Sequence, residues 1–233
     1  MELSIIAVII DNLEVTKRFV SSIRQYTQGK YELILVDNAS GDRAAAKFCK
    51  EESDKHFRFR KRAGLAEAWN KGIEISSGKF VAVVNNDTVV PPQWFGPLKE
   101  TLTKNKRAGL VSPMTFWIMK HDYLNNSKMN MDRPFRLAKF KDALWGEFMV
   151  FKRKALEDVG GFCELYKIAS GEDLEMSFQL YSRGYEIYVD PRVFVYHEGA
   201  ATKTISGKRR EKHWRKNYEL FKSRWPKQTK DWK

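Results

Sequence analysis

Cysteine is nearly absent from this chain: Cys49 and Cys163 are the only two in 233 residues. Two are too few for a disulfide framework, and their spacing is not that of a zinc site. A reducing, cytosolic setting is therefore expected. Long apolar runs are missing too, and none approaches the roughly 20 residues of a membrane span. The start, Met1-Glu2-Leu3-Ser4, has no basic n-region, and the apolar run over 5–10 is too short for a secretory leader. A soluble protein is expected. There is no internal repeat and no low-complexity tract. Acidic residues are scarce, 29 against 42 Lys and Arg, which leaves a net charge of +13. The excess is uneven. From Lys203 to the end, twelve basic residues face three acidic ones, so this tail carries nine of the thirteen charges. Such a segment suits a phosphate-rich partner or an anionic membrane surface.

The length allows one sizeable core, or a core with a small appendage. The first half alternates strand-like and helix-like signals. Residues 3–10 are β-branched and almost continuously apolar, as a strand buried on both faces reads. In 15–26, Val15, Phe19, Ile23 and Tyr26 recur at helical spacing. A second strand over 32–36 runs into the turn formers of 37–42. A short helix over 43–50, a strand over 57–60, a helix over 65–76 with Gly78 as its C-cap, and a strand over 79–84 follow. Strands alternating with helices imply parallel β-α-β units with helices on both faces, an α/β class. Ligands bind outside the carboxyl ends of such strands, which gathers Asp11 and Asn12, Asp37 and Asn38, and Asn85 to Asp87 in one region. The second half is less regular. Residues 120–138 read as a mobile polar loop or an insert facing an acceptor, 144–151 as a strand, 152–159 as a helix ending at Gly160 and Gly161, 172–182 as a helix stopped by Gly184, and 185–189 and 193–196 as short strands.

Two acidic clusters about 85 residues apart carry the chemistry. Asn85, Asn86 and Asp87 end the apolar run over 80–84, and Gly171, Glu172, Asp173, Leu174 and Glu175 precede His197. A strand ending in a carboxylate can hold a divalent cation over a crevice, and a second carboxylate pair brought there can act as a base. Each cluster also has a plainer reading. Asn-Asn-Asp is a good strand terminator. Ser170 followed by Glu172 and Asp173 is also a helix start with capping carboxylates. A lone histidine is more often a surface or core residue than a ligand. Asp37 to Gly41 can be no more than an Asx-turn.

The ordered set of these segments resembles the family 2 glycosyltransferases of GT-A fold, from about Ser4 to Gly199. Leu35-Val36-Asp37-Asn38-Ala39-Ser40-Gly41-Asp42 is close to that family's nucleotide-binding turn. Gly64-Leu65-Ala66-Glu67-Ala68-Trp69-Asn70-Lys71-Gly72 resembles the helix that precedes its metal-binding strand. Val84-Asn85-Asn86-Asp87-Thr88 stands where the family has Asp-x-Asp. Gly146, then Val159-Gly160-Gly161-Phe162, Glu172-Asp173, Gly184-Tyr185 and His197 follow in order. There are departures. Only Asp87 keeps a carboxylate of the Asp-x-Asp motif, Cys163 replaces an Asp, and Gln179 stands where an Arg is common.

The resemblance implies a Rossmann-like, mostly parallel sheet in a single domain over 1–202, with a nucleotide-binding half (1–90) and an acceptor-binding half (91–202). A basic, aromatic extension over 203–233 follows. It implies transfer, with inversion, of a sugar from a nucleoside-diphosphate sugar (UDP, dTDP or GDP) to an acceptor hydroxyl in polysaccharide or glycolipid synthesis. Asp173 is then the base and Glu172 orients the acceptor. Asp87 and His197 hold Mn²⁺ or Mg²⁺. Asp11, Asp37, Asn38, Gly64, Asn70, Asn85 and Asn86 lie on the donor side. Trp145 either stacks on a sugar or packs in the core. In the tail, Trp214, Tyr218, Phe221 and Trp225 share one helical face, which docks on anionic lipid near a lipid-linked acceptor or packs on the domain. A sugar nucleotidyltransferase would need a glycine-rich loop after the first strand, where Asp11-Asn12-Leu13 stands. A nucleic-acid binder would spread its charge over a recognition surface rather than a tail, so no nucleic-acid partner is expected.

Overall fold

The computed structural model describes residues 1–119, 131–167, 170–199 and 207–231. In chain order its elements are β1 (Leu3–Ile9), α1 (Leu13–Tyr26), β2 (Tyr31–Asp37), α2 (Arg43–Glu52), β3 (Lys55–Arg58), α3 (Leu65–Ile75), β4 (Phe80–Asn85), β5 (Thr88–Val89), α4 (Phe95–Lys104), β6 (Ala108–Thr115), α5 (Phe116–Met119), β7 (Phe135–Arg136), β8 (Phe148–Lys152), α6 (Arg153–Val159), α7 (Glu172–Ser182), β9 (Glu186–His197) and α8 (Gly207–Arg224). The strands form one sheet in the order β3-β2-β1-β4-β8-β6-β9-β5, with β7 also paired to β9. Pairing is parallel from β3 to β4, as the alternating signals predict. Beyond β4 the sheet is mixed, because β8 enters antiparallel between β4 and β6.

Alternation along the strands splits the core in two. Ile6, Val8, Val36 and Val83 face one side, where Trp69 of α3, Leu156 of α6, Phe178 of α7 and Phe221 of α8 cover them. Leu3, Ile5, Leu33 and Val84 face the other, under Phe19 and Ile23 of α1, Cys49 of α2 and Trp94 and Leu98 around α4. Apolar cover on both faces is why β1 and β2 read as almost continuous apolar runs.

Several expected boundaries move. α3 ends at Ile75 with Ser76 as an extended C-cap. Gly78 serves another purpose: a Cβ there would lie 2.5 Å from the backbone nitrogen of Ser4, so it permits close passage along β1. The expected strand over 57–60 sits earlier, at β3. The run over 144–151 is strand only from Phe148, which leaves Leu144 to Glu147 as a loop at the crevice. The two short strands over 185–189 and 193–196 are one strand, β9. Pro191 sits at a bulge, where the register with β6 jumps from Pro113↔Asp190 to Met114↔Phe194. The insert over 120–138 lies mostly outside the described residues; its end forms β7.

The aromatic face of α8 packs on the domain through its second half. Phe221 is fully buried, and Phe178 lies edge-on to Phe221 and Trp225 at 4.8 and 5.6 Å between ring centres. Trp214 and Tyr218 stack on each other at 5.2 Å, and Trp214 is half exposed. Among the described residues no helix is long and apolar enough to cross a membrane.

Candidate active site

The parallel register sets the strand ends side by side. Ile9 pairs with Asp37, and Val8 with both Val36 and Asn85. The turn after β1 bends sharply because Asp11 and Asn12 both take the left-handed conformation, φ 55°, which Asp and Asn tolerate best after glycine. Asp11 Oδ1 accepts the Asp42 N–H at 2.8 Å and the Asp11 N–H donates to Ser40 Oγ at 2.9 Å, tying the first two loops together. Asp37 is fully buried; Oδ1 accepts from Ser40 N at 2.8 Å and Oδ2 pairs with Arg58. Asn38 is nearly buried and clasps the backbone of Ala63, donating to its carbonyl at 3.0 Å and accepting its N–H at 2.8 Å. Arg62 lies 3.5 Å from Asp11. Arg58 and Arg62 thus stand against Asp37 and Asp11, and no local pattern in the sequence points to either arginine.

Gly64 starts α3 in extended conformation, and a Cβ on it would lie 3.2 Å from the carbonyl oxygen of Lys167. Asn70 is occupied by the loop after α6. Its amide donates to Phe162 O and Glu164 Oε1, both at 2.8 Å, and its oxygen accepts the Phe162 N–H at 2.8 Å. Asn86 turns inward and donates to Thr16 on α1 at 3.0 Å. Asn85 remains at the crevice, its amide 3.5 Å from His197 Nε2.

The two-residue strand β5 pairs Thr88 with His197, and the Glu198 N–H donates to Asp87 O at 3.0 Å. These bonds put Asp87 against His197. Oδ1 of Asp87 is 3.0 Å from Nε2 of the ring, while Nδ1 is 2.6 Å from Glu147 Oε2. Burial pushes the imidazole pKa down, but the hydrogen bonds to Asp87 and Glu147 outweigh it and hold it at about 9. The ring thus lies between two carboxyl side chains. Glu147, itself buried, also accepts from Thr115 Oγ1 at 2.5 Å. Its signal in the sequence is a lone charge opening an apolar strand.

One residue back, the Gly146 N–H donates to Asp173 Oδ2 at 2.9 Å, and Leu174 N donates to Oδ1 at 2.8 Å. A Cβ on Gly146 would lie 3.0 Å from the Trp69 ring and 3.4 Å from the Asp173 side chain, so any larger residue here must push the Trp69 ring aside. Gly146 and Glu147 therefore join the two acidic clusters into one unit, Gly146 by its hydrogen bond to Asp173 and Glu147 by its close approach to the His197 ring. Glu172 is nearly enclosed and accepts the Ser170 N–H at 2.7 Å; burial first, and Asp173 second, push its pKa up to about 8. Burial also raises Asp173 against the pull of its backbone donors. Trp145 is half exposed beside this unit rather than packed in the core.

Among the described residues no group of three or more His, Cys, Asp and Glu side chains could hold a metal ion unaided. The Asp87–His197 pair fits part of such a shell. Two neighbouring ligands each about 2.1 Å from Mg²⁺ stand about 3 Å apart, and such ions commonly take one or two protein ligands and fill the rest from substrate phosphates and water. Glu147 on Nδ1 is the outer carboxylate that orients a ligating imidazole.

The family model for glycosyl transferase family 2 matches residues 4–160. The poly-beta-1,6-N-acetyl-D-glucosamine synthase of Staphylococcus epidermidis is 26% identical over 194 residues, 78% of this chain and 46% of that protein. Its namesake in Staphylococcus aureus strain MSSA476 is 28% identical over 184 residues, 74% of this chain and 44% of that one. The chain thus spans less than half the length of these relatives. Among solved structures, GalNAc-T7 with UDP, GalNAc and Mn²⁺ matches with a TM-score of 0.72 at 18% identity, over 98% of this chain and 51% of that one. The mannosyltransferase PcManGT of Pyrobaculum calidifontis, in complex with GDP-Man and Mn²⁺, matches at 0.65 and 20%, over 93% and 60%. Staphylococcus aureus TarS 1–349 with UDP-GlcNAc matches at 0.65 and 15%, over 95% and 65%. At these identities the structural matches speak for the fold, a GT-A fold.

Proposed function

The chain belongs to glycosyl transferase family 2, and from that premise we propose that it moves a sugar, with inversion, from a nucleoside-diphosphate sugar to a hydroxyl of a glycan or lipid-linked acceptor in polysaccharide synthesis. The observation that carries the proposal is the pair Gly146 and Glu147, which links Asp173 to the Asp87–His197 pair. A transferase needs a proton acceptor on one side of the anomeric carbon and charge stabilisation on the other.

Asp173 is the base. Its two backbone donors fix the carboxylate, and its raised pKa makes it a better proton acceptor than an exposed aspartate. Glu172 beside it is raised too, by burial and by Asp173, so one proton held by the pair spares the site a second buried charge. Asp37, Asn38 and Asp11 bind the nucleoside, with Arg58 and Arg62 beside them. Asn85 faces the crevice. Gly64, Asn70 and Asn86 shape the donor site from behind. Asp87 and His197 would hold Mn²⁺ or Mg²⁺, which when bound supplies Lewis-acid charge to the leaving diphosphate. His197 must give up its ring proton to ligate, and Glu147 orients the ring. The poly-N-acetylglucosamine synthases among the relatives support a glycan acceptor, and the UDP and GDP complexes among the structural matches support a nucleotide-sugar donor.

Asp173→Asn keeps the shape but removes the base. We expect it to lower transfer by at least about a hundredfold while nucleotide affinity stays near wild type, measured by product formation and by calorimetry. Transfer at the wild-type rate would remove Asp173 from this role.

A further inference from the structure

We propose that α8 is a positioning element of the transfer site, and that Asn217 is its key residue, because it holds the turn from which Glu172 and Asp173 emerge. The inference rests on the reading of Asp173 as the base.

Two successive residues before α7 have positive φ: Ser170 at 124° and Gly171 at 97°. Glycine takes such values readily; serine does not, so neighbours must hold it there. Both backbone groups of Ser170 are held. Its N–H donates to Glu172 Oε2 at 2.7 Å, and its carbonyl accepts from Asn217 Nδ2 at 2.7 Å. The turn is also packed tightly. A Cβ on Gly171 would lie 2.9 Å from the Tyr166 ring and 3.6 Å from Asn217 Cβ.

A second tether lies in the first turn of α7. Glu175 is fully buried. Its Oε2 accepts from Tyr166 at 3.0 Å and Trp225 Nε1 at 2.8 Å, and its Oε1 accepts from Arg224 Nε at 3.0 Å, with Arg224 Nη2 at 2.9 Å. α7 has no cation of its own to offer, since Glu172–Ser182 contains neither Lys nor Arg. The positive charge comes from α8. Asn217 fixes where α7 starts, and Arg224 with Trp225 fixes its rotation. Between these tethers sits Asp173, whose direction toward Gly146 sets where it can take a proton. Both α7, with the base, and the C-terminal helix that aims it lie beyond the residues 4–160 matched by the family model.

The test compares Asn217→Asp, nearly isosteric but without the donor, with Asn217→Gln, which keeps it, using UDP-N-acetylglucosamine as donor and short β-1,6-linked N-acetylglucosamine oligomers as acceptor. Hydrogen exchange at 170–175 is followed in parallel. Losing one hydrogen bond to the turn should lower kcat about tenfold in Asn217→Asp. Exchange at the Leu174 and Glu175 amides should quicken by a similar factor, with UDP affinity and melting temperature close to wild type, and Asn217→Gln should recover most of the rate. Wild-type kcat in Asn217→Asp, or unchanged exchange, overturns the inference and leaves the Asp173 reading standing. Loss of rate and melting temperature together, without recovery in Asn217→Gln, also overturns it, since that marks a merely structural residue. Wild-type transfer by Asp173→Asn overturns the reading beneath it instead.

Discussion

Glu172 and Asp173 are neighbours in sequence and compete for one buried site. Glu172 is raised from 4.5 to about 8. A carboxyl whose folded pKa lies above its unfolded value binds more protons when folded. Its contribution to stability is therefore complete below about pH 4.5 and is lost as the pH rises through about 8. Glu172→Gln removes that titration. In urea denaturation it should be more stable than wild type at pH 9, by on the order of 3 kcal/mol, and no more stable at pH 4. A difference independent of pH would contradict the burial of that charge. Glu147→Gln addresses the other cluster. The amide can still bond Thr115 and the His197 ring but cannot carry the charge that orients it, so metal-dependent nucleotide binding should weaken about 10- to 100-fold in calorimetry. Unchanged binding would detach Glu147 from the site. Asp87, His197, Glu172 and Asp173 stand out in the sequence because each follows a strand-like run or starts a helix-like one. Glu147 does not. It opens an apolar run, and its partners come from β6 and β9, which no local pattern connects to it.

Elements with clean periodicity were legible, and those broken by proline or glycine were not. β1, α1, β2, α3 and β4 follow the expected order, and their parallel pairing follows from it. α4 carries Gly96 and Pro97 in its first turn, where proline costs a helix little. β6 carries Pro113 beside the register jump that absorbs its missing N–H. Glycine and proline hide both elements from a local pattern. Without β6 the antiparallel insertion of β8 was invisible, and with it the mixed half of the sheet. Gly78 shows the same limit. Its place after a helix suggested a cap, while its purpose, passage against β1, depends on a residue 74 positions away. Gly78→Ala would put a Cβ 2.5 Å from Ser4 N and 2.7 Å from the Leu3 carbonyl carbon, backbone atoms that cannot swing aside. We expect a loss of about 2 kcal/mol or more in urea denaturation. A loss below about half a kcal/mol would mean that β1 and this turn move apart easily.

Over the whole molecule, charge and chemistry are separated. The tail holds most of the net charge, yet the proposed catalytic unit consists of carboxylates and one histidine, at the strand ends and at the start of α7. α8 joins the two: its Lys212, Arg215 and Lys216 are exposed, while Asn217, Phe221 and Arg224, with Trp225 just beyond, contact α7 and the turn before it. The central claim is that these strand ends bind a nucleoside diphosphate together with a divalent cation. Calorimetric titration of the chain with UDP, GDP, dTDP and CDP, each with and without Mn²⁺, tests it most directly. The expected result is binding of one diphosphate that tightens at least about tenfold with Mn²⁺, as a shell shared between Asp87, His197 and phosphate oxygens requires. Binding of none of the four, with or without Mn²⁺, would contradict it.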